Sequence, residues 1–228
     1  MEHTGHTGTA RSRTEQIPSG QIMLEGELSI PVGASGVVLF AHGSGSSRHS
    51  RRNQFVARTI RDAGVGTLLF DLLTQAEEAV DITTRHLRFD IGLLAERLVD
   101  ATSWIKSEPG THHLRVGYFG SSTGGGAALV AAAELGEEIG AVVSRGGRPD
   151  LAGDALTRVK SPTLLIVGGL DYPVIRMNED AYRQLGCEKE LRIVPGATHL
   201  FEEPGTLEKV ARLAGEWFQR HLAVVKAE

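Results

Sequence analysis

Six short apolar runs punctuate the chain: Gly36 to Ala41, Val65 to Phe70, Leu114 to Phe119, Ala141 to Ser144, Thr163 to Val167 and Glu190 to Val194. Most are rich in β-branched residues and lack a polar alternate, the pattern of strands covered on both faces of a parallel sheet. Before them, Ile22, Leu24, Leu28 and Ile30 alternate with polar positions until Pro31 and Gly33, which predicts an edge strand over Gln21 to Ile30. Between the runs, apolar positions recur at helical spacing over Arg51 to Ala63, Thr84 to Lys106, Thr123 to Leu135, Val174 to Leu185 and Leu207 to Leu222. Alternating strands and helices imply right-handed crossovers and a doubly wound, mostly parallel α/β sheet of about seven strands. In such a sheet ligands bind beyond the carboxyl ends of the strands, so each strand end is searched for chemistry. No long insertion interrupts the alternation, so no large cap domain is expected, and Asp71 to Asp81 reads as the longest central loop.

Residues 1–20 are polar and hold His3, His6, Arg11 and Arg13 without an apolar centre; they read as a flexible arm rather than a signal peptide, and residues 21–228 as one domain. Among the 228 residues, 24 Lys+Arg face 28 Asp+Glu, a formal net charge of −4, so no basic field points to nucleic acid. No apolar run reaches the ~20 residues of a membrane helix. The single cysteine, Cys187, leaves no internal disulfide, in keeping with a cytoplasmic protein. The 28 glycines, about 12% of the chain, exceed the roughly 7% norm and mark tight strand-to-helix turns.

The richest of these turns is Gly117-Tyr-Phe-Gly120-Ser121-Ser122-Thr123-Gly124-Gly125-Gly126. Here Gly120-x-Ser122-x-Gly124 bridges a strand and an alanine-rich helix, matching a nucleophile elbow that lifts its serine on a strained turn. A serine hydroxyl requires a base, and the base a group that sets its tautomer. Of nine histidines, His199 alone lies between the sixth apolar run and the last helix. Asp171 lies just past a strand end, after Gly168 and Gly169. Ser122, Asp171 and His199 then follow one another at spacings of 49 and 28 residues. Asp150 and Asp154, in the loop after the preceding strand, are alternative acids.

These residues resemble those of the α/β-hydrolase family, and within it the small dienelactone-hydrolase-like group, from about Gln21 to Leu222. The resemblance rests on the elbow, on Leu170-Asp171, on Gly196-Ala-Thr-His199 and on Phe40-Ala-His42-Gly43-Ser44-Gly45-Ser46-Ser47. It implies an α/β-hydrolase fold, a Ser-His-Asp triad and an oxyanion loop at His42-Gly43-Ser44, with the backbone N–H groups of Ser44 and Thr123 as donors. True dienelactone hydrolases carry a cysteine nucleophile, whereas Ser122 stands here and Cys187 lies far from the elbow. Plain ester hydrolysis is therefore expected, with lactones and thioesters open to the same machinery.

A dinucleotide-binding unit is the main rival, since Gly36 to Asp71 reads strand, Gly43-x-Gly45, helix, strand, acid. Its third glycine is replaced by Arg48, and it leaves Ser122, Asp171 and His199 unexplained. A binding module that retains the triad residues is a further alternative. Arg145 and Arg148, also at a strand end, are candidate clamps for a substrate carboxylate, or partners of Asp150 and Asp154. Arg48, Arg51 and Arg52 beside the oxyanion loop attract anionic substrates or simply solvate a helix start. His112-His113 and His3/His6 lack carboxylate or thiolate partners at ligand spacing, so no metal is assigned and no cofactor is implied. The expected partner is a small-molecule ester, with neither nucleic acid nor membrane.

Overall fold

The computed structural model describes residues 11–223. Eight strands form one sheet: β1 (Arg11–Ser19), β2 (Ile22–Ile30), β3 (Gly36–Ala41), β4 (Gly66–Phe70), β5 (Arg115–Ser121), β6 (Ile139–Arg145), β7 (Thr163–Gly168) and β8 (Lys189–Val194). Their spatial order is β1-β2-β4-β3-β5-β6-β7-β8. The first two joins, β1 to β2 and β2 to β4, are antiparallel, and every later join is parallel. The helices are α1 (Arg51–Asp62), α2 (Gln75–Thr84), α3 (Ile91–Ser107), α4 (Thr123–Leu135), α5 (Tyr172–Gln184) and α6 (Thr206–Leu222).

Side chains leave a strand on alternate faces, so each central strand feeds two cores. On β3, Val37, Leu39 and Ala41 join α3 and α4 on one side, while Val38 and Phe40 join α1 and α6 on the other. All six positions are buried, which accounts for the unbroken apolar run in the sequence.

Three expectations are corrected. The arm expected over residues 1–20 contributes β1, an eighth strand; residues 1–10 lie outside the described residues. β1 pairs with β2 from Arg11↔Ile30 to Ser19↔Ile22. Its sequence is polar because it is an edge strand with one inward anchor of size, Ile17, which is fully buried opposite Leu24. Pro18 fits there because an edge strand can spare a ladder N–H.

The helix expected over Thr84 to Lys106 forms only from Ile91, as α3, and the loop expected over Asp71 to Asp81 contains the start of α2, which ends at Thr84. α2 opens on a capping box between Thr74 and Glu77 and closes at Arg85 in the left-handed region (φ 57°). Asp90 then restarts the chain, its side chain accepting the Leu93 N–H at 3.0 Å. The sequence hides this break because neither glycine nor proline marks it. Arg97 of α3 pins α2 by two bonds to Glu77 (2.7 and 3.0 Å) and one to the Leu72 carbonyl. The loop after β6 coils into a 3-10 segment, Pro149–Arg158.

Ile17→Ala should lower stability in urea unfolding by about 3 kcal/mol, the cost of a cavity in a closed core. An unchanged midpoint would mean that β1 does not hold to the sheet.

Candidate active site

β5 ends at Ser121 and α4 begins at Thr123, so Ser122 alone makes the turn. It does so at φ 50°, ψ −122°, a region costly for a residue with a side chain. The neighbours impose it. A Cβ on Gly120 would stand 2.5 Å from the Gly124 carbonyl oxygen, and one on Gly124 would stand 2.1 Å from that of Ala41. With both Cβ atoms absent the helix abuts two strands, and the Ser122 backbone is tied across to the next one. Its N–H donates to Arg145 O (3.3 Å), and its carbonyl accepts from Arg148 N–H (3.0 Å).

Asp171 follows the end of β7 and His199 the turn after β8. Leu170 N–H donates to Ala197 O at 2.9 Å, stitching the two loops together. Within this frame His199 Nδ1 and Asp171 Oδ2 are 2.6 Å apart. Thr198 closes the histidine loop on Glu203 through its N–H (3.1 Å) and its hydroxyl (2.5 Å), and buried Phe201 seats the exit at φ 55°. A Cβ on Gly146 would lie 3.6 Å from His199 Nδ1 and Cε1. Gly146 directly follows the residue whose carbonyl holds the Ser122 N–H, so imidazole and elbow share the carboxyl end of the sheet. The alternative acids are placed elsewhere: Asp150 is held by Arg148 at 2.9 and 2.7 Å, and Asp154 is exposed. Cys187 is half-buried beside Thr163, where β7 begins, at the other end of the sheet.

The loop after β3 passes close to the serine, since a Cβ on Gly43 would stand 3.2 Å from Ser122 Cβ. The Ser44 N–H, expected to be a free oxyanion donor, is bonded to the Thr123 hydroxyl at 3.1 Å. The Ser44 hydroxyl also lies 3.0 Å from it. This contact was invisible in the sequence, where Thr123 enters only through its backbone. His42 braces the loop: its Nδ1–H reaches Gly43 O (3.1 Å) while Nε2 accepts the Leu72 N–H (3.0 Å). Both ring nitrogens are thus engaged, and burial pushes the imidazole below its ordinary value. Arg48 closes on Asp71 and Glu25, so it braces the same loop. Beside the loop lies a cavity of about 220 Å³ lined by Leu72, Leu73, Leu94 and Ile82, with Ser44, Thr123, Glu78, Asp81 and Arg88 as its polar lining.

Of the two candidate clamps, Arg148 is committed to Asp150. Arg145 is only 7% exposed and does not line that cavity. Its guanidinium lies 6.0 Å from the Phe201 ring, and its Nε and Nη1 have no hydrogen-bond partner among the described residues. Among those residues no group of three or more His, Cys, Asp or Glu is placed to hold a metal, and no helix is long and apolar enough to cross a membrane.

The family model of the dienelactone hydrolase family matches residues 25–227. A crystal structure of a dienelactone hydrolase from Anabaena variabilis is 63% identical, with a TM-score of 0.92 over 93% of this chain and 99% of that one. A dienelactone hydrolase-like promiscuous phosphotriesterase from metagenomic libraries shares the fold, with a TM-score of 0.74 at 21% identity over 94% of this chain and 99% of that one. A Mycobacterium tuberculosis protein named "Putative phosphoribosyl transferase" is 56% identical over 212 residues, 93% of this chain and 47% of its own length. The chain therefore spans about half the length of that curated relative.

His42 generates a prediction for stability. It is held neutral below its usual 6.5, so as pH falls the unfolded chain takes up this proton first. Its contribution is complete above about pH 6.5 and is lost as pH drops through the window beneath. Urea unfolding at pH 8.0 and pH 5.5 should show that loss in the wild type and a smaller one in His42→Gln; equal losses would refute the assignment.

Proposed function

The chain belongs to the dienelactone hydrolase family of α/β hydrolases, and from that premise we propose that it is a serine hydrolase cleaving carboxylic esters through an acyl-enzyme. The observation that carries this reading is the 2.6 Å contact between His199 and Asp171 at the same sheet end as the strained Ser122 turn. Ser122 Oγ attacks the ester carbonyl carbon while His199 Nε2 takes its proton. The carbonyl π pair moves to oxygen, and the resulting oxyanion takes hydrogen bonds from the N–H groups of Thr123 and Ser44. An anionic oxygen outcompetes a neutral hydroxyl as acceptor, so the Ser44 N–H turns from Thr123 Oγ1 to the oxyanion. Collapse breaks the bond to the alcohol, which leaves with the proton from His199. Water then attacks the acyl group with His199 as base, and the second collapse frees the acid and restores Ser122. Asp171 holds the Nδ1–H tautomer throughout and stabilises the imidazolium.

The steps call for no cofactor. Lactones and thioesters present the same carbonyl and fit the same sequence of steps. The leucine and isoleucine wall of the cavity beside Ser44 and Thr123 is suited to the hydrocarbon part of a small ester. The phosphoribosyl transferase name belongs to a protein roughly twice the matched length.

A fluorophosphonate should add one adduct to the peptide containing Ser122, and none to Ser122→Ala; an unlabelled wild type would remove the proposal. Asp171→Asn should cut kcat on p-nitrophenyl esters by about 10⁴-fold, as the wrong imidazole tautomer does in such triads. Asp150→Asn should stay within about twofold, as expected of an exposed side chain away from the reacting atoms. A reversal of the two results would move the acid to the loop after β6.

A further inference from the structure

Strand order decides which half of an ester meets which side of the site. β5, which leads into Ser122, stands between β3 and β6, so the loops after β3 and β4 open on one side of the elbow and those after β6, β7 and β8 on the other. Asp171 and His199 come from the second side. The leaving oxygen takes its proton from His199, so the alcohol half of an ester lies towards that side. The cavity of about 220 Å³ is on the first side, walled by the loops after β3 and β4 and by α2 and α3. It reaches the elbow, because its lining includes Thr123 and Gly43, and a Cβ on Gly43 would stand 3.2 Å from Ser122 Cβ. The acyl half is the part left to fill it. Pockets for drug-sized ligands begin at about 300 Å³, so this one takes a short acyl chain.

The charges of this cavity are unbalanced. Glu78, Asp81 and Ile82 lie three and four positions apart, so one face of α2 forms the wall. Asp81 is answered by Arg88, whose Nε–H donates to its Oδ2 at 2.5 Å. Arg88 is the one arginine or lysine of the lining among the described residues. Glu78 has no ion pair or side-chain hydrogen bond among those residues. Burial and the charges of Asp71 and Asp81 push its carboxyl above its ordinary value, against the opposing charge of Arg88. The other arginines beside the site leave it unanswered. Arg48 is held by Asp71 and Glu25, Arg148 by Asp150, and Arg145 is not part of the lining. Arg51 and Arg52 wall a neighbouring cavity and form no ion pair with Glu78. A carboxylate on the acyl chain would thus give up water beside an uncompensated negative charge and gain no partner in exchange.

We infer that the cavity beside the oxyanion donors is the acyl subsite and that Glu78 sets its specificity by excluding acyl groups that end in a carboxylate, so that the esters cleaved at Ser122 carry a short, uncharged acyl group. This rests on the ester-hydrolase reading. An anionic group on the alcohol half stands on the His199 side of the elbow and is not subject to Glu78.

The test has two arms. In the first, phenyl butyrate and monophenyl succinate are titrated into the full-length Ser122→Ala protein and followed by NMR chemical shifts, so that the result does not depend on turnover. Saturable binding of the butyrate is expected, about fivefold or more tighter than that of the succinate, the scale of one partly screened charge pair. The gap should close in Ser122→Ala/Glu78→Gln. No saturable binding, or a gap indifferent to Glu78, overturns the subsite. In the second arm kcat/KM is measured for two pairs of esters. p-Nitrophenyl butyrate and mono-p-nitrophenyl succinate differ in charge on the acyl half; phenyl acetate and 4-carboxyphenyl acetate differ on the alcohol half. Each pair is read as a ratio compared between proteins, so that the intrinsic reactivity of the esters cancels. Glu78→Gln should narrow the first ratio about fivefold or more and move the second by less than about twofold. Glu137→Gln, just ahead of β6 at the opposite end of the sheet, should move neither. No change in the first ratio, or a change in the second that is as large or larger, overturns the assignment of the acyl half. A wild type inert to all four esters overturns the hydrolase reading, while the titration still decides the selectivity of the cavity.

Discussion

The end of β3, the turn at Ser122 and the first turn of α4 are in backbone contact, and the candidate site is arranged around that contact. No side chain can be inserted at Gly124 without driving into the Ala41 carbonyl, nor at Gly120 without meeting the helix. The approach leaves Ser122 a single path between strand and helix, in a region of backbone space that an isolated peptide would avoid. The cost of that turn is met by the surrounding ladders: β3 and β6 flank β5 in register, and the Ser122 amide and carbonyl are both bonded. Strain of this kind persists where a rigid scaffold overdetermines it.

The sheet delivers the remaining groups to the same place for a topological reason. β3, β5, β6, β7 and β8 run parallel, so the segments that leave them all emerge on one side. Asp171 and His199 come from adjacent strands and meet because their loops share a backbone bond. Neither residue needs to be close to Ser122 in sequence. The apolar runs bury both faces of the central strands, although β8 at the edge is largely exposed, and that burial makes the platform stiff enough to hold a 2.6 Å contact between two loops.

Around this platform most of the cations are already committed. Arg48 ties the oxyanion loop to Asp71 and Glu25, Arg88 and Arg97 secure α2, and Arg148 folds onto Asp150. Partly buried ion pairs of this sort orient loops more than they stabilise the fold. Among the described residues Arg145 has no such carboxylate, and the charge that acts on it is that of Arg52.

Much of the architecture follows from residue order alone. Continuous apolar runs between helical patterns dictate a doubly wound sheet, because a strand buried on both faces has no room for polar alternates. Gly120-x-Ser122-x-Gly124 marks the elbow because only glycine permits the backbone approach there. β1 escapes that logic: an edge strand with one large buried side chain looks like a polar arm until Ile17 is seen against Leu24. So does the break at Arg85, where the chain turns left-handed without a glycine to announce it. Which acid faces His199, whether the Ser44 N–H is free and which arginines are paired were left to the tertiary structure. Those questions depend on distances between residues tens to a hundred positions apart, set by how loops pack on the sheet, and local pattern carries no record of them.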